Sequence, residues 1–362
     1  MYVKKISLKN YRNIKNLDLK LQNNINIFYG KNAQGKTNLL ESIYIAATGR
    51  SHRTHKDKDL IKFGENEAHI KLEIEKENIY DKIDVHLKNN SKKGIAINNI
   101  PIKKLGQLFG YLNVVIFSPE DLNLIKQGPQ ERRKFLDMEL CQVSNIYYYN
   151  LYQYYKVLKQ RNSLLKKIHN DISLKESIFI WDNQLINFGK KIIEIRKLFI
   201  EKLSVISSNI HKNITSDKEI LNIKYKPNVF VNDFEEKLKK GLEKDITYTT
   251  TSYGPHKDDI LFLINNINVR DFGSQGQQRT VSLSTKLAEI KLIEEEKGIL
   301  PVLLLDDVLS ELDKDRQKFL INNIKNLQVI ITCTGVEDVL KNLSENCNIF
   351  NVSNGEIIVD RS

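Results

Sequence analysis

The chain has 362 residues, 41% of them hydrophobic and 28% charged, which excludes a disordered chain and leaves room for about two domains. Lys and Arg number 56 against 45 Asp and Glu, a formal charge of +11 that favours an anionic partner, either nucleic acid or a membrane surface. Three scattered cysteines, Cys141, Cys333 and Cys347, have no CxxC spacing, so a disulfide framework or zinc site is not expected and a cytoplasmic location is.

Residues 1–12 alternate apolar and charged side chains, which is a strand pattern and not a signal-peptide core. Val3, Ile6 and Leu8, then Leu17, Leu19 and Leu21, predict two strands around a turn near Arg12-Asn13. Residues 25–29 predict a short apolar strand ending at Gly30, and 38–47 a helix. Residues 70–74 and 83–87 alternate with period two and predict further sheet, and 112–117 another apolar strand closed by Pro119. From 129 to about 211 the chain is mainly helical. Trp181, Leu185, Phe188, Ile192, Ile195, Phe199, Leu203, Ile206 and Ile210 repeat at steps of three or four, the seam of a coiled coil or bundle. A helix over 181–210 would be about 45 Å long at ~1.5 Å per residue, with an earlier helix over 145–168 packing back on it. Sheet returns after Tyr248. Residues 302–305 are an apolar strand, and 349–359 a terminal hairpin turning at Asn354-Gly355. No run is apolar enough to cross a bilayer, so no membrane association is expected.

The predicted fold is therefore α/β: an ABC-type ATPase head of the P-loop NTPase class, formed from both ends of the chain (residues 1–120 and 246–362), with an inserted, mainly helical lobe (121–245). Three motifs carry this. Gly30-Lys31-Asn32-Ala33-Gln34-Gly35-Lys36-Thr37 is a complete GxxxxGK[ST] Walker A between a strand and a helix. Its glycines let backbone N–H groups wrap a phosphate, Lys36 reaches the β/γ-phosphates, and Thr37 ligates Mg²⁺. Val302-Leu303-Leu304-Leu305-Asp306-Asp307 is a Walker B, with Asp306 holding Mg²⁺ through water and Asp307 at the usual place of a catalytic glutamate. Ser274-Gln275-Gly276-Gln277-Gln278-Arg279 matches the Ser-x-Gly-x-Gln signature loop, in which Ser274, Gly276 and Gln278 complete the ATP site of a second subunit. Leu309-Ser310-Glu311-Leu312-Asp313 follows as a D-loop.

Other clusters are ambiguous. The basic loop Gly49-Arg50-Ser51-His52-Arg53-Thr54-His55-Lys56 suits phosphate contact through Arg50, His52 and Arg53, or is a solvated surface loop. Tyr253-Gly254-Pro255-His256-Lys257-Asp258-Asp259 reads as a hydrogen-bonded structural turn in preference to a metal site. In 145–170, Tyr147, Tyr148, Tyr149, Tyr152, Tyr154 and Tyr155 interleave with Lys156, Lys159, Arg161, Lys166 and Lys167. Core packing is expected for most of these tyrosines, and the lysines are open to DNA.

Taken in order, the motifs resemble the RecF family of bacterial recombination-mediator ATPases, nearly end to end. The resemblance rests on Asn10-Tyr11-Arg12-Asn13, the Walker A continuing into Asn38-Leu39-Leu40-Glu41-Ser42, and Ser51-His52-Arg53-Thr54. It continues through Phe117-Ser118-Pro119-Glu120-Asp121-Leu122, Gly128-Pro129 with Arg132-Arg133, Gly254-Pro255-His256-Lys257-Asp258-Asp259, the signature loop and the Walker B to D-loop run. It implies ATP and Mg²⁺ as cofactors, with Arg12 added to the nucleotide-binding set, weak ATPase activity, and an ATP-dependent homodimer. It further implies DNA binding at single-strand gaps, duplex or junctions, work with RecO and RecR in loading RecA, and a part in SOS induction. Lys257 stands where the family is expected to carry Arg, and Thr332-Cys333-Thr334 occupies the place of the ABC switch histidine.

An ABC transporter ATPase subunit is the alternative, but it calls for a glutamate after Asp306 and a histidine near Thr334. Thr37 and Ser274 are too close in sequence for the long coils of an SMC protein. A nuclease fused to the head would need an acidic metal cluster after the Walker B, and a decayed P-loop would not keep Lys36, Ser274 and Asp306 together.

Overall fold

The computed structural model describes residues 1–335 and 347–361. The chain divides into two compact units, Met1–Asp121 with Lys286–Ser362, and Leu122–Thr285.

The first unit opens with β1 (Tyr2–Tyr11), β2 (Ile14–Lys20) and β3 (Ile25–Tyr29), followed by α1 (Lys36–Thr48). Then come β4 (Glu67–Lys76), β5 (Ile79–Lys88), β6 (Gly94–Ile97), β7 (Ile100–Pro101) and β8 (Val114–Phe117). The second unit holds α2 (Leu122–Lys126), α3 (Pro129–Val143), α4 (Asn145–Asn170), α5 (Phe179–Thr215), β9 (Leu221–Lys226), α6 (Phe234–Lys240) and α7 (Leu242–Tyr248). It ends with β10 (Asp259–Ile264), β11 (Ile267–Asn268), α8 (Val269–Phe272) and the start of α9 (Gln275–Lys297), which runs on into the first unit. There β12 (Val302–Asp306), α10 (Lys314–Asn323), β13 (Val329–Cys333), β14 (Cys347–Ser353) and β15 (Glu356–Arg361) complete the described chain.

Two sheets build the first unit. One is antiparallel, in the order β2-β1-β4-β5-β6-β7. Its strands alternate buried and solvated residues, as a sheet with one wet face must. The other has the order β15-β14-β3-β13-β12-β8 and is parallel from β14 to β8. Parallel strands lie covered on both faces, which explains why Val302, Leu303, Leu304 and Leu305 are all fully buried and read as a continuous apolar run. Register sets the site: Asp306 lies beside Thr332, Thr332 beside Phe28, and Cys333 beside Tyr29. The carboxyl ends of β12, β13 and β3 therefore finish together, where open α/β sheets bind ligands.

In the second unit α4 and α5 pack as the predicted hairpin. Both run beyond the predicted ends, and α5 closes at Ser216 in a left-handed cap. The lobe is not purely helical. β9 pairs with β10 residue for residue from Leu221↔Ile264 to Lys226↔Asp259, and β11 completes a small antiparallel sheet. That pairing carries residues 246–285 with the second unit, so the chain returns to the first at Lys286 and not at 246. The buried stripe of α5 is also wider than an apolar seam, since it includes Asp182, Arg196, Ser207 and His211.

Candidate nucleotide site

β3 ends at Tyr29, and the N–H of the following Gly30 bonds Cys333 O at 3.3 Å. The loop then turns through Ala33 at φ 65° and Gly35 at φ 112° into α1. Gly35 is required twice, by its left-handed backbone and by space, because an added Cβ would sit 2.7 Å from Asn13 Oδ1. At Gly30 an added Cβ would strike Val352 O at 2.2 Å. Asn13 braces the loop, donating from Nδ2 to Gln34 O at 2.9 Å and accepting from Asn38 Nδ2 at 2.9 Å. The β14–β15 turn braces it from the other side, with Gly355 N–H to Gln34 O at 3.0 Å and Asn354 N–H to Gln34 Oε1 at 2.6 Å. The P-loop is thus a held cradle with Lys31, Asn32 and Ala33 exposed along it.

Lys36 is buried and donates to Gly30 O at 2.7 Å and Lys31 O at 2.9 Å. Burial pulls its pKa below the ordinary lysine value, against the opposing pull of Asp307, Cys333 and Asp306. A cation at this cost of desolvation fits a site built to meet phosphate charge. Thr37 Oγ1 donates to Asp306 Oδ1 at 2.8 Å. The bond commits the hydroxyl proton to Asp306 and leaves the Thr37 lone pairs for Mg²⁺, with the Asp306 carboxylate placed to hold one of the ion's waters, so the pair fits Mg²⁺ in donor type.

Thr332 Oγ1 also donates to Asp306 Oδ1, at 2.7 Å, and accepts from Asp307 N–H at 3.1 Å. Asp307 adopts the left-handed conformation (φ 54°, ψ 18°), and Ser310 Oγ donates to its carbonyl at 2.7 Å. Thr332, in the run Thr332-Cys333-Thr334, thus aims the Walker B acid. Beside it, burial and then Asp307 push the Cys333 thiol up to about 11, so it is neutral at physiological pH.

Glu41, on α1 and fully buried, organises a second ring. It takes both Arg12 Nε at 2.9 Å and Arg12 Nη2 at 2.7 Å, Tyr11 Oη at 2.9 Å and Ser51 Oγ at 2.5 Å. Arg12 Nη1 continues to Asp59 O at 2.8 Å, so the nucleotide-binding candidate Arg12 is fixed on a carboxylate. Burial works to raise the Glu41 pKa, but the hydrogen bonds from Arg12 and Ser51 and the Arg12 charge outweigh it, and the net value is lowered.

The basic loop after α1 is revised by this ring. Arg53 Nη1 donates to Asn38 Oδ1 at 2.9 Å and lies 3.5 Å from Glu41 Oε2. His52 packs edge-on against Tyr44, and burial lowers its pKa to about 4. It is a neutral, inward side chain and does not present a cation to a phosphate. Arg50 is exposed.

The signature loop lies in the second unit. Ser274 is exposed at the start of α9 and forms a reciprocal cap with Gln277: Gln277 N–H to Ser274 Oγ at 3.2 Å, and Ser274 N–H to Gln277 Oε1 at 2.9 Å. Gln277 Nε2 donates to Glu219 Oε1 at 2.9 Å, and Glu219 Oε2 meets His211 Nε2 at 3.0 Å. Gln278, a nucleotide-binding candidate, is buried and donates to Val269 O at 3.2 Å; Gly276 lies between them on the first turn.

The run through His256 and Asp258 is structural. Asp258 takes Arg196 Nη1 at 2.9 Å, Asn228 N–H at 2.8 Å and the Tyr225 hydroxyl. Fully buried Arg196 also donates to Pro255 O at 2.6 Å and Asp137 Oδ1 at 2.6 Å. Arg132 holds Asp259 through both Nε and Nη2. Among the described residues no metal-type cluster includes His256, Asp258 or Asp259. On α4 Tyr147 and Tyr154 are fully buried, Tyr149 sets its ring edge-on against Phe188 of α5 and Tyr155 against Tyr154, while Tyr149, Tyr152 and Tyr155 keep part of their surface open to solvent.

Comparison with known proteins places this geometry. The RecF/RecN/SMC N terminal domain family matches residues 2–358. A DNA replication and repair protein RecF of Lachnospira eligens is 53% identical over 360 residues, 99% of each chain, and that of Clostridium tetani 50% identical over 99% of this chain and 100% of its own. The chain belongs to the RecF family.

A solved structure of the recombination mediator protein RecF-ATPrS in the RecFOR pathway superposes with TM-score 0.91 at 37% identity, covering 99% of this chain and 98% of that one. An Smc head bound to the C-winged helix domain of ScpA has TM-score 0.58 at 17% identity over 99% of this chain and 97% of its own, which shows the shared head fold. The fold is thus the predicted ABC/SMC-type ATPase head, and RecF membership does not favour the transporter alternative. No helix among the described residues is long and apolar enough to cross a membrane. Reading for motifs assigned no site role to Asn13, Glu219 or Thr332, because each acts through side-chain bonds to residues distant in the chain; Asn13 and Thr332 entered only as members of the runs Asn10-Tyr11-Arg12-Asn13 and Thr332-Cys333-Thr334. Glu41 was visible only as part of the resemblance.

Proposed function

We propose that this RecF-family chain is an ATP-switched DNA-binding protein of recombinational repair and replication-fork maintenance. The observation that carries the reading is the joining of Walker A to Walker B by Thr37 Oγ1 and Asp306 Oδ1, with Lys36 beside them inside a braced cradle. ATP would bind with its β/γ-phosphates against the P-loop N–H groups and Lys36, and Mg²⁺ at Thr37 and Asp306. Gly30, Lys31, Asn32, Ala33, Gln34 and Gly35 supply the cradle. Ser274, Gly276 and Gln278 would complete the site of a second copy, so ATP drives a homodimer.

Asp307 would orient the attacking water. It is one methylene shorter than the glutamate usual in ABC-type ATPases, and general-base placement is sensitive to distance, so hydrolysis is slow and times the release of the dimer. The family points to DNA at gaps and junctions, to RecR as a partner, to RecO and RecA as functional associates in RecA loading, and to a role in SOS induction in the cytoplasm.

DNA is held through the surplus of positive charge, with Arg50 and Arg53 the first candidates and His52 supporting the loop from within. Binding through phosphates falls with salt at a log–log slope of about −0.9 per contact. The test is DNA affinity against salt, with and without ATP, for wild type and Arg50→Ala/Arg53→Ala. ATP-strengthened, salt-steep binding that becomes flatter in the variant is expected. ATP-independent binding with a flat salt dependence would overturn the clamp, and an unchanged slope in the variant would move the contacts off this loop.

A further inference from the structure

The solvent face of the antiparallel sheet carries a cluster that the nucleotide site does not use. Glu67 and His69 are two residues apart on β4, so both point to the same face. Their neighbours Ala68 and Ile70 are buried, which makes that face the outer one. The antiparallel register sets His86 of β5 directly opposite His69. The two imidazoles stack with centroids 4.2 Å apart and planes 10° from parallel. Glu67 Oε2 lies 3.1 Å from His86 Nε2, and Glu67 Oε1 lies 3.7 Å from His69 Nε2. One donor atom from each of the three residues falls within 4.8 Å of the other two.

We propose that Glu67, His69 and His86 form a binding site for a divalent transition-metal ion of the zinc, copper and nickel class. The donor set decides the class. Two imidazoles and one carboxylate suit these borderline ions, whereas Mg²⁺ and Ca²⁺ prefer oxygen alone. The spacing agrees. Bonds of ~2.0–2.1 Å in a tetrahedral site put neighbouring ligand atoms about 3.3 Å apart; the Glu67–imidazole separations, one for each carboxylate oxygen, lie on either side of that value, and the three donors fall within 4.8 Å of one another.

The backbone is already arranged for chelation, because strand pairing fixes all three Cα positions and binding needs only side-chain rotation. Access is open as well. His86 pairs on its other side with Gly94 of β6, which has no side chain to cover the imidazole. Three protein ligands leave a coordination position for water or for a donor from another molecule. Of the lysines on this face, Lys71 lies 3.9 Å from Asp84, which offsets its charge near His69, while Lys9 of β1 stands opposite His69 and Lys88 of β5 opposite Glu67. A simple surface ion pair would place the same side chains together, and metal affinity separates the two cases.

The experiment is a Zn²⁺ titration of chelator-treated, full-length protein against a chromophoric competitor, without ATP or Mg²⁺. Wild type is compared with His69→Ala, His86→Ala and Glu67→Gln, and with the His69→Ala/His86→Ala double variant. These are solvent-face positions, and circular dichroism confirms that each variant is folded. The background from Cys141, Cys333 and Cys347 is common to all, so the difference from wild type reports this site. About one equivalent bound by wild type and lost in the double variant, with at least about tenfold weaker binding in each single variant, is expected. In parallel, Co²⁺ should give visible d–d bands with wild type and none with the double variant. Wild type that binds no Zn²⁺, or a double variant with unchanged stoichiometry and affinity, would overturn the proposal. ATP binding is read separately, so neither result bears on the nucleotide site.

Discussion

Replacing Glu41 by Ala should destabilise the first unit strongly. This one buried carboxylate ties the end of β1, through Tyr11 and Arg12, to α1 and to the loop that follows it, through Ser51. Alanine would leave the Arg12 fork and the buried Tyr11 hydroxyl facing each other without their shared acceptor. Removing one partner of a buried pair costs about 3–5 kcal/mol. At roughly 2–4 °C per kcal/mol for a unit of this size, the melting point should fall by about 10 °C. Glu41→Gln keeps the shape and an acceptor for Tyr11 or Ser51 but loses the charge, so its cost should be smaller, about 1.5–3 kcal/mol. The pH dependence has a definite sign. The folded pKa of Glu41 is lowered, so its contribution is complete above the unfolded carboxylate value of about 4.3 and is lost as pH falls through the folded one. The gap between wild type and Glu41→Gln should therefore be widest near neutral pH and close under acid. Thermal unfolding followed by circular dichroism from pH 7 down to about pH 2 measures this. An Ala variant melting within about 2 °C of wild type, or a gap independent of pH, would refute the reasoning.

Two further substitutions probe side chains that act on the motifs. Thr332→Val is nearly isosteric and removes the bond to Asp306, so ATP turnover should drop about tenfold or more, since a hydrogen bond to a charged group is worth about 1.5–3 kcal/mol. Wild-type turnover and Mg²⁺ dependence in that variant would remove Thr332 from the site. Glu219→Ala releases Gln277 and with it the cap on Ser274, so ATP-driven dimerisation should weaken about tenfold while each monomer binds ATP normally. An unchanged dimer constant, measured by sedimentation equilibrium, would show that the loop holds its shape without Glu219.

What was legible in the sequence follows periodicity and motif. The β3 strand over Ile25–Tyr29, the Walker A helix and the α4–α5 hairpin were readable because burial imposes a period on apolar residues. Of the second unit's small sheet, the strands after Tyr248 were expected but β9 was not. Leu221–Lys226 is an edge strand with three apolar positions, too short to separate from the helices around it. The buried polar networks were also illegible: Arg196, Arg161 and His211 sit on helix faces where charge normally means solvent, and only the long-range partners Asp258, Asp245 and Glu219 explain them. The loop Arg50, His52 and Arg53 looked uniformly basic because sequence cannot tell which side chains turn inward to Tyr44 and Glu41.

The central claim is a switch in which ATP held on one copy by Lys36, Thr37 and Asp306 is completed by the Ser274 loop of another. Sedimentation velocity of wild type and Ser274→Arg, each with and without ATP and Mg²⁺, tests it most directly, with monomer ATP affinity measured alongside. Wild type should shift from monomer to dimer only with ATP and Mg²⁺, and Ser274→Arg should bind ATP normally yet remain monomeric. A wild type that stays monomeric at saturating ATP and Mg²⁺, or a Ser274→Arg variant that dimerises equally well, would contradict the account.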